Sequence, residues 1–183
     1  MIKSLLQYLR EETFPRRSEI LKGSELWLGI VVGVLCGHWG YLVIPQTTKV
    51  GDVCVALLTY AAIALGFCLA GLTLVLTLPH QDFITRLAKS RPPKAKHDSY
   101  SNLLFVFTWT SLVHWILIIV GVTVLVLAGS NQPILPLGSL RHEVMTGLMS
   151  ALAAYCLFQF LITLFTLSQV GRLHIASLQE KNK

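Results

Sequence analysis

Charged side chains are scarce in this sequence of 183 residues, and four long stretches have none. Asp, Glu, Lys and Arg together make up 13% of the chain, whereas hydrophobic residues make up 54%. The four charge-free stretches are Leu26–Ile44, Val53–Leu78, Leu103–Ala128 and Val144–Val170. A soluble domain places charged residues along most of its length, so runs of this kind exclude an ordinary soluble fold.

Recognisable catalytic motifs are also missing. The sequence contains no Gly-x-Ser-x-Gly, no His-Glu-x-x-His, no glycine-rich phosphate loop and no paired carboxylates. Asp52, Asp82, Asp98 and Glu143 stand alone at predicted loop positions, where a charge is normally just solvated. A carboxylate inside a span, which proton-coupled small multidrug transporters use, is absent as well. We therefore predict that the protein is not an enzyme.

Cysteines are few and badly placed for redox chemistry. Cys36, Cys54, Cys68 and Cys156 all fall inside the apolar stretches, and no Cys-x-x-Cys occurs. Thiol oxidases of membranes need paired cysteines near the surface. The four residues are therefore interpreted as small apolar side chains, and no metal site or cofactor is predicted.

The length of the four stretches predicts the fold class. A helix needs roughly 20 apolar residues to cross a hydrocarbon core about 30 Å thick. All four stretches meet or nearly meet that length, which predicts an all-α integral membrane protein, a four-transmembrane-helix bundle with short amphipathic cytoplasmic helices. The outer connections Pro45–Asp52 and Gly129–Glu143 are too short to fold independently, so the chain is predicted to be a single membrane domain.

Basic residues are distributed very unequally around these spans. Thirteen of the 15 Lys and Arg residues lie in segments 1–25, 79–102 and 171–183, and the other two are Lys49 and Arg141. Basic residues that flank membrane helices stay in the cytoplasm. This predicts a multi-pass inner-membrane protein with both termini in the cytoplasm.

Two cytoplasmic segments are predicted to lie on the membrane surface as amphipathic helices. Apolar residues recur at helical spacing in segments 2–9 and 83–88, with basic residues beside them. The second segment continues into a basic cluster formed by Arg86, Lys89, Arg91, Lys94 and Lys96. We expect this cluster to bind anionic lipid headgroups or a cytosolic protein. Nucleic acid is disfavoured because the cluster lacks interleaved aromatic residues.

Small residues follow helical spacing in the first two spans. They are Gly29, Gly33, Gly37 and Gly40 in the first span, and Ala62, Gly66 and Ala70 in the second. Close contact through small residues is a main source of helix association in lipid. The two rows therefore predict helix packing, either inside one subunit or at an interface between subunits or along a pore.

Four polar residues inside the spans are candidates for function, namely His38, His114, Gln159 and Thr163. His38 lies opposite the glycine row at a predicted depth where lipid is a poor neighbour. Either His38 faces a second subunit or a cavity, or it points inward and the glycine row is the outer contact, and both arrangements favour a homo-oligomer. The alternative is that His38 reaches the outer interface of the membrane. His114 has three interpretations: a structural hydrogen-bonding group, part of a proton or ion pathway with Gln159, or one ligand of a bis-histidine haem with His38.

Two function hypotheses survive these observations. In the first, the protein is a homo-oligomeric, channel-like membrane effector that works with a cytosolic partner. In the second, it is a membrane anchor that recruits a cytosolic protein through its basic loop, and a haem electron carrier is a minor third alternative. The combined layout is similar to that of membrane subunits of bacterial antiviral defence systems, a similarity of architecture that covers no motif.

Overall fold

The computed structural model of the protein describes residue 10 and residues 13–43, 48–77, 98–129 and 140–181. These residues form five helices and no strand: α1 (Arg17–Lys22), α2 (Ser24–Val43), α3 (Val50–Thr77), α4 (Ser99–Ala128) and α5 (Leu140–Lys181). The all-α prediction is therefore confirmed for this part of the chain. Residues 1–9 and 78–97, which include both predicted surface helices and the basic cluster Arg86–Lys96, lie outside it.

Three of the helices are long and apolar enough to cross a membrane. They are α3, the Ser99–Leu127 part of α4 and the Glu143–Arg172 part of α5. Each contains most or all of a predicted span, so three of the four predicted spans are confirmed as long apolar helices. Helix α2 has 20 residues, but its described apolar part, Ser24–Trp39, is shorter than a full span. The four-span bundle thus stays a prediction.

Local signals explain where α4 begins and ends. The carboxylate of Asp98 accepts a hydrogen bond of 2.6 Å from the backbone N–H of Ser101, which satisfies one of the free donors at the helix start. At the other end Gly129 has φ of 77° and its N–H donates to the carbonyl of Leu125. Glycine adopts this conformation without strain. The helix therefore starts four residues before the predicted span at Leu103.

The residues divide into two compact units. Unit 1 comprises residues 1–48 and 133–158, and unit 2 comprises residues 49–132 and 159–183. Unit 1 therefore contains α1, α2 and the first part of α5, whereas unit 2 contains α3, α4 and the remainder of α5. The prediction of a single membrane domain stays a prediction.

In unit 2, α3 and α4 pack in opposite directions along their length. The ring of Phe107 lies against Gly71, and the side chain of Leu58 lies against Gly121. Residue numbers thus rise along one helix as they fall along the other. The core beside this contact contains Cys68, Val75, Leu103 and Phe107. Gly71 allows the ring of Phe107 to pack this closely against α3, since a methyl group at residue 71 would lie 2.5 Å from a ring carbon of Phe107.

Candidate functional site

A buried histidine is the centre of a polar cluster in unit 2. His114 has an exposed fraction of 0%, and its Nδ1 lies 2.7 Å from the carbonyl oxygen of Thr110. A carbonyl can only accept, so Nδ1 carries the proton. Nε2 of the neutral ring is then the acceptor, and it lies 3.2 Å from the hydroxyl of Tyr60, which donates to it. Helices α3 and α4 are thereby joined through the ring.

A pair of threonines joins α4 to α5 in the same unit. The hydroxyl oxygens of Thr110 and Thr163 are 2.8 Å apart, and both side chains are fully buried. Thr163 donates its single hydroxyl proton to the carbonyl of Gln159 at 2.9 Å. Thr110 must therefore be the donor to Thr163. The order of donation runs from Thr110 through Thr163 to Gln159, whose own side chain is also buried.

Aromatic rings enclose the histidine side of this cluster. Phe160 of α5 lies edge-on to the rings of Tyr60, Phe67 and His114, with centroid distances of 6.3, 5.3 and 6.2 Å. The edge of one ring against the face of another is a favoured arrangement of aromatic groups. Phe160 of α5 thus packs against both Tyr60 of α3 and His114 of α4.

The geometry defines what this polar cluster can do chemically. Both ring nitrogens of His114 have partners, so ligation of haem iron through Nε2 would displace the hydroxyl of Tyr60. Within the described ranges no group of three His, Cys, Asp or Glu residues could hold a metal ion. The cluster can bind three helices together, and its phenol and imidazole can exchange a proton across their hydrogen bond.

The contribution of the hydrogen bond between Thr110 and Thr163 to stability can be measured directly. Thr110→Val and Thr163→Val keep the shape of each side chain, and their double-mutant cycle should give a coupling of about 0.6 kcal/mol, the average for hydrogen bonds between membrane helices. The measurement is the unfolding free energy of each variant in detergent. Thr108 donates to the carbonyl of Leu104 in its own helix, so pairing Thr108→Val with Thr163→Val should give no coupling. Equal couplings in the two cycles would contradict the assignment.

In unit 1, the predicted glycine row packs against α5. A methyl group at Gly33 would lie 2.5 Å from Cβ of Ala151 and 2.6 Å from the carbonyl oxygen of Gly147. A methyl group at Gly29 would lie 3.1 Å from the carbonyl oxygen of Ala151, and one at Gly37 would lie 3.0 Å from the carbonyl oxygen of Glu143. The two helices are therefore in backbone contact, and a larger residue at Gly33 would force them apart. Gly40, the last member of the row, lies in the final turn of α2.

His38 lies beside this contact and is exposed. Its ring packs edge-on against Trp39 at 5.5 Å, and the residue borders a groove together with Glu143. Glu143 is the first residue of the apolar part of α5. His38 thus lies near the first residue of that apolar part. The predicted contact of His38 with a second subunit stays a prediction.

The small residues predicted on α3 lie on its exposed face. Ala62, Gly66 and Ala70 are exposed, and a methyl group at Gly66 would meet nothing within 4 Å. The face that packs inside unit 2 consists instead of Cys54, Ala61, Ala64, Leu65, Cys68, Gly71 and Val75. Both faces of α3 are rich in small residues, so the sequence alone does not distinguish them.

Threonines on the exposed face of α3 bond within their own helix. The hydroxyls of Thr59, Thr73 and Thr77 each donate to the carbonyl four residues earlier at 2.8 Å. A hydroxyl satisfied in this way does not require water or a partner. These threonines are therefore compatible with a hydrocarbon environment.

Sequence reasoning named three members of the polar cluster, His114, Gln159 and Thr163, and missed Tyr60. The structure brings these residues together in unit 2, whereas His38 lies in unit 1. Tyr60 has no distinguishing spacing or neighbour in the sequence, since its role depends on which helix faces α4. The predicted basic cluster lies outside the described residues.

Comparison of the chain with family models, with curated proteins and with solved structures finds no match. Its function is therefore argued from its own residues.

Proposed function

We propose that this protein is a non-enzymatic, channel-like membrane effector that assembles from several copies of the chain. In this proposal it spans the inner membrane four times, with both termini in the cytoplasm. The observation that carries the proposal is in unit 2, which exposes a tryptophan and a row of small residues at the same depth. A large ring on one copy could therefore pack against small residues on the next.

The tryptophan is Trp115, at the middle of the 30-residue helix α4. Its side chain is 55% exposed. Tryptophan in membrane proteins prefers the interface with water, where its indole N–H finds an acceptor. Hydrocarbon at the middle of a span offers none. A protein surface at this position would supply both packing and an acceptor.

The row of small residues on α3 lies at the depth of Trp115. The pairs Leu58–Gly121 and Gly71–Phe107 set the register between the helices, and this register places Trp115 level with Ile63. Ala62 and Gly66 lie within one turn of that level. Rotation about an axis normal to the membrane leaves depth unchanged, so Trp115 of one copy meets the small residues of the next. A contact of this head-to-tail kind closes into a ring when the rotation between neighbouring copies is a whole fraction of a full turn.

Two further features support an effector that responds to a cytosolic protein. The polar cluster around His114 supplies groups that line a proton or ion path once the helices separate. The thirteen basic residues of the cytoplasmic segments supply a docking surface, and the cluster Arg86–Lys96 is its densest part. We propose on the architectural similarity that the setting is antiviral defence. The alternative is an anchor that recruits the same partner without any ion path.

Cysteine cross-linking tests the ring. A chain with Trp115→Cys and Gly66→Cys should form a ladder of oligomers when the membranes are oxidised, because the two positions meet between copies. The matched control replaces Val126 instead of Trp115. Val126 is 74% exposed but about 16 Å further along α4, so its pair with Gly66 should remain monomeric. Monomers only, or equal ladders from both pairs, would overturn the ring.

The same cross-linkable protein in liposomes tests the effector. Ion release that appears on addition of the cytosolic partner, and that His114→Ala changes, is the expected result. Stable oligomers that recruit the partner while the liposomes stay tight would favour the anchor alternative.

A further inference from the structure

A groove on the surface of unit 1 is not used by the proposed function. It is an open depression of about 350 Å³ between α2 and the first part of α5. Its lining consists of Ile30, Gly33, Val34, Gly37, His38, Glu143, Val144, Gly147, Leu148 and Ala151. From Ile30 to His38 the groove runs about 12 Å along α2.

The groove is apolar along its length and ionisable at one end. Eight of its ten lining residues are aliphatic or glycine. The two exceptions, His38 and Glu143, lie together at the end that is level with the start of the apolar part of α5. Glycines at the contact of the two helices make the floor of the groove backbone rather than side chain. Such a surface matches a molecule with an apolar chain and a polar head.

The chemistry of the groove favours a lipid over another helix. A lipid has an apolar chain for the eight aliphatic and glycine residues and a charged head for His38 and Glu143, whereas a membrane-spanning helix is apolar along its length. The groove is open to its surroundings, so a lipid chain can enter it from the side. The apolar stretch is therefore suited to one hydrocarbon chain.

We propose that this groove binds a phospholipid with a primary ammonium headgroup, such as phosphatidylethanolamine. The acyl chain lies along Val34 and Leu148, the carboxylate of Glu143 accepts hydrogen bonds from the ammonium, and a ring N–H of His38 donates to the phosphate. A choline headgroup has no N–H to donate, and a glycerol headgroup adds no positive charge to balance the carboxylate. The pair of residues thus discriminates among phospholipids by headgroup. Binding requires one chain only, so it is independent of the proposed oligomer.

Native mass spectrometry tests this site on the full chain released from nanodiscs. The discs contain equal amounts of phosphatidylethanolamine, phosphatidylcholine and phosphatidylglycerol, and the lipid retained by the single chain is counted. We expect phosphatidylethanolamine to be enriched about fivefold, which corresponds to about 1 kcal/mol, the size of an exposed ion pair. Glu143→Gln should abolish the enrichment while a lipid is still retained.

Two further variants keep the result decisive. Asp52 is an exposed acid in the first turn of α3, so Asp52→Asn is the matched control and should leave the enrichment unchanged. Val34 is 65% exposed, so Val34→Trp should fill the groove without disturbing the fold, and the bound lipid should be lost whatever its headgroup. Retained lipid that mirrors the disc composition, or an equal effect of Glu143→Gln and Asp52→Asn, would overturn the proposal. Detection of a dimer of the chain without bound lipid would also overturn the proposal.

Discussion

Replacing Gly33 with alanine should destabilise unit 1 by about 1–3 kcal/mol, the usual range for overpacking a close contact. The added methyl group would lie 2.5 Å from Cβ of Ala151 and 2.6 Å from the carbonyl oxygen of Gly147. The oxygen is a backbone atom, so relief requires α2 and α5 to move apart. The contacts of Gly29 and Gly37 would be lost with them. The measurement is the unfolding free energy in mixed detergent micelles titrated with sodium dodecyl sulfate.

The matched control for Gly33→Ala is Gly66→Ala in α3. Both glycines lie inside long helices, but a methyl group at Gly66 meets nothing within 4 Å. Alanine is the better helix former by up to about 1 kcal/mol, so this variant should be neutral or slightly more stable. Equal destabilisation by the two substitutions would contradict the special role of Gly33 in the contact between α2 and α5.

Replacing His114 with alanine should destabilise unit 2 by about 3 kcal/mol, as for other large buried rings that are truncated to a methyl group. The ring is fully buried, and Phe160 packs against it from α5. Its loss leaves a cavity and removes the hydrogen bond between the ring and the Tyr60 hydroxyl. The same detergent titration measures the effect.

His38→Ala is the natural comparison for His114→Ala, because it removes the same ring from an exposed position. Exposed substitutions usually change stability by no more than about 0.5 kcal/mol, and His38→Ala should fall in that range. A similarly small effect at His114 would show that its hydrogen bonds do not hold the helices together. The cluster in unit 2 would then need a different explanation.

The positions of the long apolar helices could be predicted because long runs without charge rarely occur outside membrane-spanning helices. The predicted spans at Val53–Leu78 and Leu103–Ala128 agree with α3 and α4 within four residues at each end. The four-residue error at the start of α4 arises from Asp98. Its carboxylate was interpreted as an isolated loop charge, whereas in the structure it caps the helix. An N-cap signal was present in the sequence but does not stand out beside a strong hydropathy pattern.

The packing of the helices could be predicted only in part. In water, the buried face of a helix is marked by apolar residues and the exposed face by polar ones. In α3 both faces are apolar, so Ala61 and Ala64 in the core look the same as Ala62 and Ala70 on the surface. Tyr60 was missed for a related reason, because its role requires knowledge of which helix lies opposite. The glycine row of α2 was easier to find, since three glycines spaced by four residues indicate close packing against another helix.

The threonines of α3 show that a polar residue need not make a polar surface. When the hydroxyl of Thr59, Thr73 or Thr77 turns back to its own helix, the group left facing outward is the methyl. A neighbouring acyl chain then meets a surface close to that of valine. Hydropathy scales score threonine by its hydroxyl, so they understate how well this helix dissolves in hydrocarbon. The tolerance of α3 for lipid is therefore a property of its conformation as well as of its composition.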